Sequence, residues 1–106
     1  MNINELARKA HEMAVEKGWY EKPREIPELL CLIHSEISES LEAYRDGHST
    51  TSRVNGKPEG LPVELADAVI RIADMAGYLG IDLESAIGEK MEYNSTRPYR
   101  HGGKLA

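Results

Sequence analysis

The sequence predicts an all-α fold built as a four-helix subunit. Three observations carry this reading. Apolar residues recur every three or four positions in four separate segments, glycine or proline punctuates their ends, and no segment alternates with period two. The chain has 106 residues and a mass of 11.8 kDa. It makes one domain, residues 1–106, because a division would leave neither half enough core. A compact globule of this length has a radius of gyration of about 13 Å.

The first helix is expected from Ile3 to Lys17. Leu6, Ala10, Met13 and Ala14 fall on one face, and Gly18 stops it. Trp19 and Tyr20 follow in a connector ending at Pro23. The second helix is expected from Glu25 to Asp46, with Pro27 in its first turn, where a missing N–H does no harm. Leu30, Ile33, Ile37, Leu41 and Tyr44 form its apolar stripe, and Gly47 ends it. Residues 48–61 read as a polar loop, long enough to be a crossover or a functional flap. The third helix is expected from Pro62 to Leu79, with Leu65, Val69, Ile72, Ala76 and Leu79 on one face and Gly80 as its break. Asp82 caps the fourth helix, which turns Leu83, Ala86, Ile87 and Met91 inward and ends before Pro98. Residues 98–106 read as an extended or mobile tail. The stripes are wide for so small a domain, which predicts a helical homo-oligomer.

Eighteen acidic residues outnumber thirteen basic ones, giving a formal charge of -5. No strong positive field exists to hold a nucleic acid polymer. Met1 to Ala10 contains no apolar run, and Leu61 to Leu83 is interrupted by Glu64, Asp67, Arg71 and Asp74. The expectation is therefore no leader, no membrane span and a reducing, cytoplasmic setting. Cys31 cannot pair within the chain and reads as a small buried hydrophobe. The four histidines read as surface or structural groups. Trp19 reads either as a core anchor at a helix end or as a stacking wall for a nucleobase.

The charges are unevenly distributed. Residues 25–49 hold six acids and only Arg45 as a base, whereas residues 94–106 hold Arg97, Arg100 and Lys104 and no acid. Glu36 and Glu39 are spaced i, i+3, and Glu64 and Asp67 repeat that spacing in the next helix. If the helices return antiparallel, four carboxylates converge, and hard oxygen ligands favour Mg²⁺, Mn²⁺ or Ca²⁺ over zinc. Two plainer readings exist: acids in a first helical turn complement the dipole, and Glu36 and Glu39 suit a solvated face. A simple helical hairpin also offsets the two pairs by several ångströms along the axis. In the fourth helix Lys90, Asn94 and Arg97 share a face, with Tyr99 beyond Pro98. They suit either a phosphate clamp or an ordinary solvated stripe.

Together, Glu36-Ile-Ser-Glu39, Glu64-Leu-Ala-Asp67 and Lys90-x3-Asn94-x2-Arg97 resemble the MazG-like all-α nucleoside triphosphate pyrophosphohydrolases. That superfamily also holds dimeric dUTPases, dCTP pyrophosphatases and phosphoribosyl-ATP pyrophosphatases. The resemblance spans roughly residues 25 to 104. It implies Mg²⁺-dependent cleavage of a nucleoside triphosphate, with deoxynucleotides included, to the monophosphate and pyrophosphate, with Mn²⁺ as a substitute ion. It places Glu36, Glu39, Glu64 and Asp67 on the metals, with Glu36 or Glu39 as proton acceptor. Lys90, Asn94, Arg97 and Tyr99 would grip phosphate, and Trp19 would contact the base. It also implies a homodimer or homotetramer. Two other readings are a non-enzymatic helical oligomerisation or nucleotide-sensing module and a pyrophosphohydrolase acting on phosphoribosyl-ATP.

Overall fold

Asn2 opens the first helix by accepting a hydrogen bond from the Glu5 N–H at 2.8 Å, which satisfies one otherwise orphaned donor. This helix, α1, spans Ile3–Glu16 in the computed structural model, which describes residues 1–103. Helix α2 spans Ile26–Arg45, α3 Leu61–Leu79 and α4 Leu83–Ser95. Pro27 and Pro62 occupy first turns, Gly80 ends α3 in the left-handed region, and Asp82 caps α4 by accepting from the Ser85 N–H at 3.0 Å. The protein is thus mostly helical. No helix among the described residues is long and apolar enough to cross a membrane.

Two elements depart from the helical expectation. The 48–61 segment contains a hairpin, β1 (Ser52–Val54) and β2 (Lys57–Glu59), paired antiparallel with Val54 opposite Lys57. Its turn is Asn55-Gly56, with φ of 54° and 81°. Two consecutive positive φ angles twist a tight turn to match its strands, and Asn-Gly is the dipeptide that reaches them most easily. Each strand has only three residues, too few to show alternation. The tail also differs: Arg100–Gly103 forms one helical turn, α5, rather than extended chain. Residues 104–106, Lys104 among them, lie outside the described residues.

Helix α3 packs against both α1 and α2, while α4 packs against α1 and β2 meets α3. The α1–α3 contact is made by small residues: Ala7, Ala73 and Ala76 are buried, with Leu6, Ala10 and Leu83 packed around them. Small side chains let the backbones come close. A Cβ added to Gly77 would stand 2.6 Å from the Ala7 carbonyl oxygen.

The expected apolar stripes do not all reach this core. Ala76 is buried, but Leu30, Ile37, Leu41 and Tyr44 on α2 and Leu65, Val69 and Ile72 on α3 are exposed. In α4, Ile87 and Met91 are exposed, not inward, and no residue of that helix is buried. Period alone identifies an apolar face and not what covers it. The radius of gyration is 16.3 Å, well above the compact expectation of about 13 Å, with extents of 47 × 37 × 28 Å. Cys31 is exposed, correcting its assignment to the interior. Trp19 is 55% exposed, so it is not a core anchor.

Candidate functional site

The site begins with the placement of α2 beside α3. Glu36 is the one buried acid of α2. The Arg71 Nε of α3 donates to its Oε1 at 2.6 Å and supplies the positive charge that a buried carboxylate requires. One turn along α2, the Ser40 hydroxyl donates to the Glu36 backbone carbonyl at 3.1 Å. From α3, Glu64 and Asp67 face the same place. One carboxylate oxygen from each of Glu36, Glu64 and Asp67 falls within 4.8 Å of the others. The axial offset expected of a plain hairpin does not keep these helices' acids apart.

Glu39 lies outside that closest group of three, yet it belongs to the same field. A side-chain hydrogen bond with Glu36 raises its pKa, helped by the negative charges of Glu36, Glu64 and Asp67. Glu64 is raised first by burial, then by Asp67 and Glu36, while Lys57 opposes the shift. After these leading causes the two shifts share a further one: several acids occupy one region and each resists ionisation of the next. Together the four acids line an open pocket of about 350 Å³, with Glu42 and Lys57.

The hairpin completes this pocket. Gly60 (φ 113°) precedes α3, and any Cβ there would stand 2.1 Å from the Thr50 carbonyl oxygen. The Leu61 N–H donates to the His48 carbonyl at 2.8 Å. These contacts bring the loop's two ends together at the start of α3, with Lys57 and Pro58 on the pocket wall. The segment is thus a short hairpin that walls the pocket rather than an unstructured loop.

A second cavity of about 320 Å³ adjoins the first, sharing Glu36 and Asp67 with it. Its walls are Met13, Trp19, Leu29, Leu32, Ile70 and Arg71, apolar on most sides with a cation at the edge. The connector that carries Trp19 is tied to α3. The Tyr20 hydroxyl donates to Asp74 Oδ2 at 2.7 Å, and His11 Nδ1 lies 3.0 Å from Asp74 Oδ1. The Tyr20 and Tyr78 rings are 4.5 Å apart, and the Arg24 N–H donates to the Tyr78 hydroxyl at 3.1 Å. Burial and the Asp74 bond push the Tyr20 hydroxyl pKa far up. His11 is therefore a structural histidine, while His34 and His48 are exposed.

The α4 residues are placed differently. The Lys90 ammonium and Arg97 guanidinium lie 4.9 and 5.5 Å from the centre of the Tyr93 ring, a pair of cation–π contacts. Asn94 and Tyr99 are exposed, and Arg100 lies over Tyr99. Lys90, Asn94, Arg97 and Tyr99 do not line the carboxylate pocket of their own chain.

Arg71, Asp74 and Lys57 are site residues that motif spacing did not single out. Arg71 and Asp74 had a signal: Glu64, Asp67, Arg71 and Asp74 step by three, four and three, so they make one polar face along α3. Read as breaks in an apolar run, they conceal that face. Lys57 had none, because its position depends on the hairpin. Comparison with protein-family models, curated proteins and solved structures gives no match to this chain.

Proposed function

We propose that this chain is a divalent-metal-dependent nucleoside triphosphate pyrophosphohydrolase, releasing a monophosphate and pyrophosphate. The observation that carries this reading is the convergence of the Glu36, Glu64 and Asp67 oxygens within 4.8 Å, beside a cavity walled by Trp19. Acids brought this close repel one another, and a bound cation would offset that repulsion. The donor set also suits the ion. Three carboxylates offer the hard oxygen donors that Mg²⁺ or Mn²⁺ would take, and Glu36, Glu64 and Asp67 would supply them.

Glu36, Glu64 and Asp67 would hold the ion, with Glu39 as a further ligand or proton acceptor. A bound divalent cation neutralises phosphate oxygens and makes water a better nucleophile at neutral pH. Water adds to phosphorus, the anhydride bond joining the monophosphate to pyrophosphate breaks, and the water's proton passes to a carboxylate. Glu39 would suit that transfer by its position, since it lines the same pocket as Glu36, Glu64 and Asp67. The Trp19 cavity would take the base by stacking, which is tolerant of base identity. Lys90, Asn94 and Arg97, with Tyr99, would offset charge on the leaving pyrophosphate. Since they do not line their own chain's pocket, a neighbouring copy is the proposed source. The exposed apolar faces of α2 and α3 support such a homodimer or homotetramer.

A panel of ribo- and deoxyribonucleoside triphosphates and phosphoribosyl-ATP, scored for pyrophosphate with and without Mg²⁺, tests the reading. Turnover of at least one triphosphate is expected only with the ion. Glu39→Gln and Asp67→Asn are each expected to abolish it while leaving the helical circular dichroism intact. Full activity in either variant would contradict the assignment, and no turnover on any substrate would favour a non-enzymatic helical module.

A further inference from the structure

Arg71 stands between the two halves of the site. Its Nε donates to Glu36 Oε1 at 2.6 Å, and its guanidinium carbon lies 6.0 Å from the centre of the Trp19 ring. It lines the Trp19 cavity together with Glu36 and Asp67. Among the described residues, Nε is its only side-chain nitrogen with a protein hydrogen-bond partner. Both terminal amino groups are left available to donate. The side chain is about one-third exposed, so it has room to turn.

We propose that Arg71 is a positioning residue that competes with a divalent cation for Glu36 and, when displaced, offers its guanidinium to an anionic or acceptor group of a ligand in the Trp19 cavity. This rests on the metal-dependent reading above. Glu36 is 8% exposed and needs a positive partner. Arg71 is that partner within the protein, and an ion held by Glu36, Glu64 and Asp67 would be a second one. Two cations sharing one carboxylate repel each other, so either weakens the other's hold. Arginine suits the exchange because its fork can engage an oxygen with one edge while another faces elsewhere. The consequence is ordered loading: the ion at the carboxylates frees the cation that the cavity's ligand then uses. Lys57 cannot substitute, since it acts on Glu64 from the hairpin side and is not a wall of the Trp19 cavity.

The test is calorimetric titration of the full chain with Mg²⁺, followed in parallel by the emission of Trp19, the sole tryptophan. Wild type is expected to bind Mg²⁺ and to shift its Trp19 emission with the same midpoint. Arg71→Gln is expected to bind Mg²⁺ about tenfold more tightly, through loss of one nearby positive charge, and to show no emission shift. Arg71→Lys keeps the charge on a shorter, unforked group. It is expected to retain the wild-type affinity and lose the shift, which preserves the test if the glutamine variant does not fold. An Arg71→Gln affinity equal to or weaker than wild type, or an emission shift persisting in either variant, overturns the role of Arg71 and leaves the metal reading standing. Absence of Mg²⁺ binding in the wild type overturns both.

Discussion

Replacing Gly77 by alanine in α3 ought to separate α1 from α3. In an exposed helix the same change usually stabilises, by about 1 kcal/mol, because alanine is the better helix former. Here the new methyl would lie 2.6 Å from the Ala7 carbonyl oxygen and 2.7 Å from the His11 Cβ, both far inside van der Waals contact. The Ala7 oxygen is backbone and cannot swing away, so the helices must part. Overpacking costs about 1–3 kcal/mol, and two contacts under 3.0 Å, one to backbone, put this site in the upper part of that range, above the propensity gain. A net loss of up to about 2 kcal/mol corresponds to a fall in Tm of up to about 10–15 °C for a domain of this size. Gly88 in α4 is an internal control: its added Cβ meets nothing within 4 Å, so Gly88→Ala should raise stability. Thermal and urea unfolding of both variants, measured alongside wild type, gives the comparison. Because α1 contributes Met13 to the Trp19 cavity and α3 contributes Ile70 and Arg71, Gly77→Ala should also alter Trp19 emission in the folded state. Equal stabilisation by the two alanines would refute the close approach of α1 to α3.

Three further outcomes are expected. Tyr20→Phe removes the bond to Asp74 but leaves His11 on that carboxylate, so urea unfolding should show a loss of about 1 kcal/mol. Glu39 and Glu64 hold their protons more tightly in the folded state than the ordinary carboxylate value of 4.5. These two groups therefore bind more protons in the folded than in the unfolded state, and their contribution to stability should rise as pH falls from neutral toward the ordinary carboxylate value. Glu64→Gln should flatten that rise in urea midpoints, and an unchanged slope would exclude Glu64 as a source. Light scattering should give a multiple of 11.8 kDa, and Ile37→Lys on the exposed face of α2 should lower it; a wild-type monomer would contradict the proposed assembly.

Much of the helical framework was legible because its signals are local. Gly18, Pro27, Gly47, Pro62, Gly80 and Asp82 mark helix ends through their own backbone and capping chemistry, and the helices begin and end beside them. The spacing of Glu36, Glu39, Glu64 and Asp67 likewise named the acids that share one region. What the chain did not disclose depends on partners distant in sequence. Cys31 lies in an apolar stretch yet is exposed, since periodicity says nothing about which faces meet. The hairpin at 52–59 was hidden because its strands are short and its evidence is confined to Asn55-Gly56. Arg71 became visible as a site residue only when α2 was laid against α3, since its partner Glu36 is 35 residues away.

The account depends most on the acids of α2 and α3 forming one cation site. Its most direct test is a Mn²⁺ titration followed by electron paramagnetic resonance on wild type, Glu36→Gln and Asp67→Asn, each checked for helical content. Saturable binding of at least one ion per chain is expected in wild type, with loss of that site in both variants, because each removes a donor from the converging set. Equal Mn²⁺ uptake by all three proteins, or none by the wild type, would contradict it.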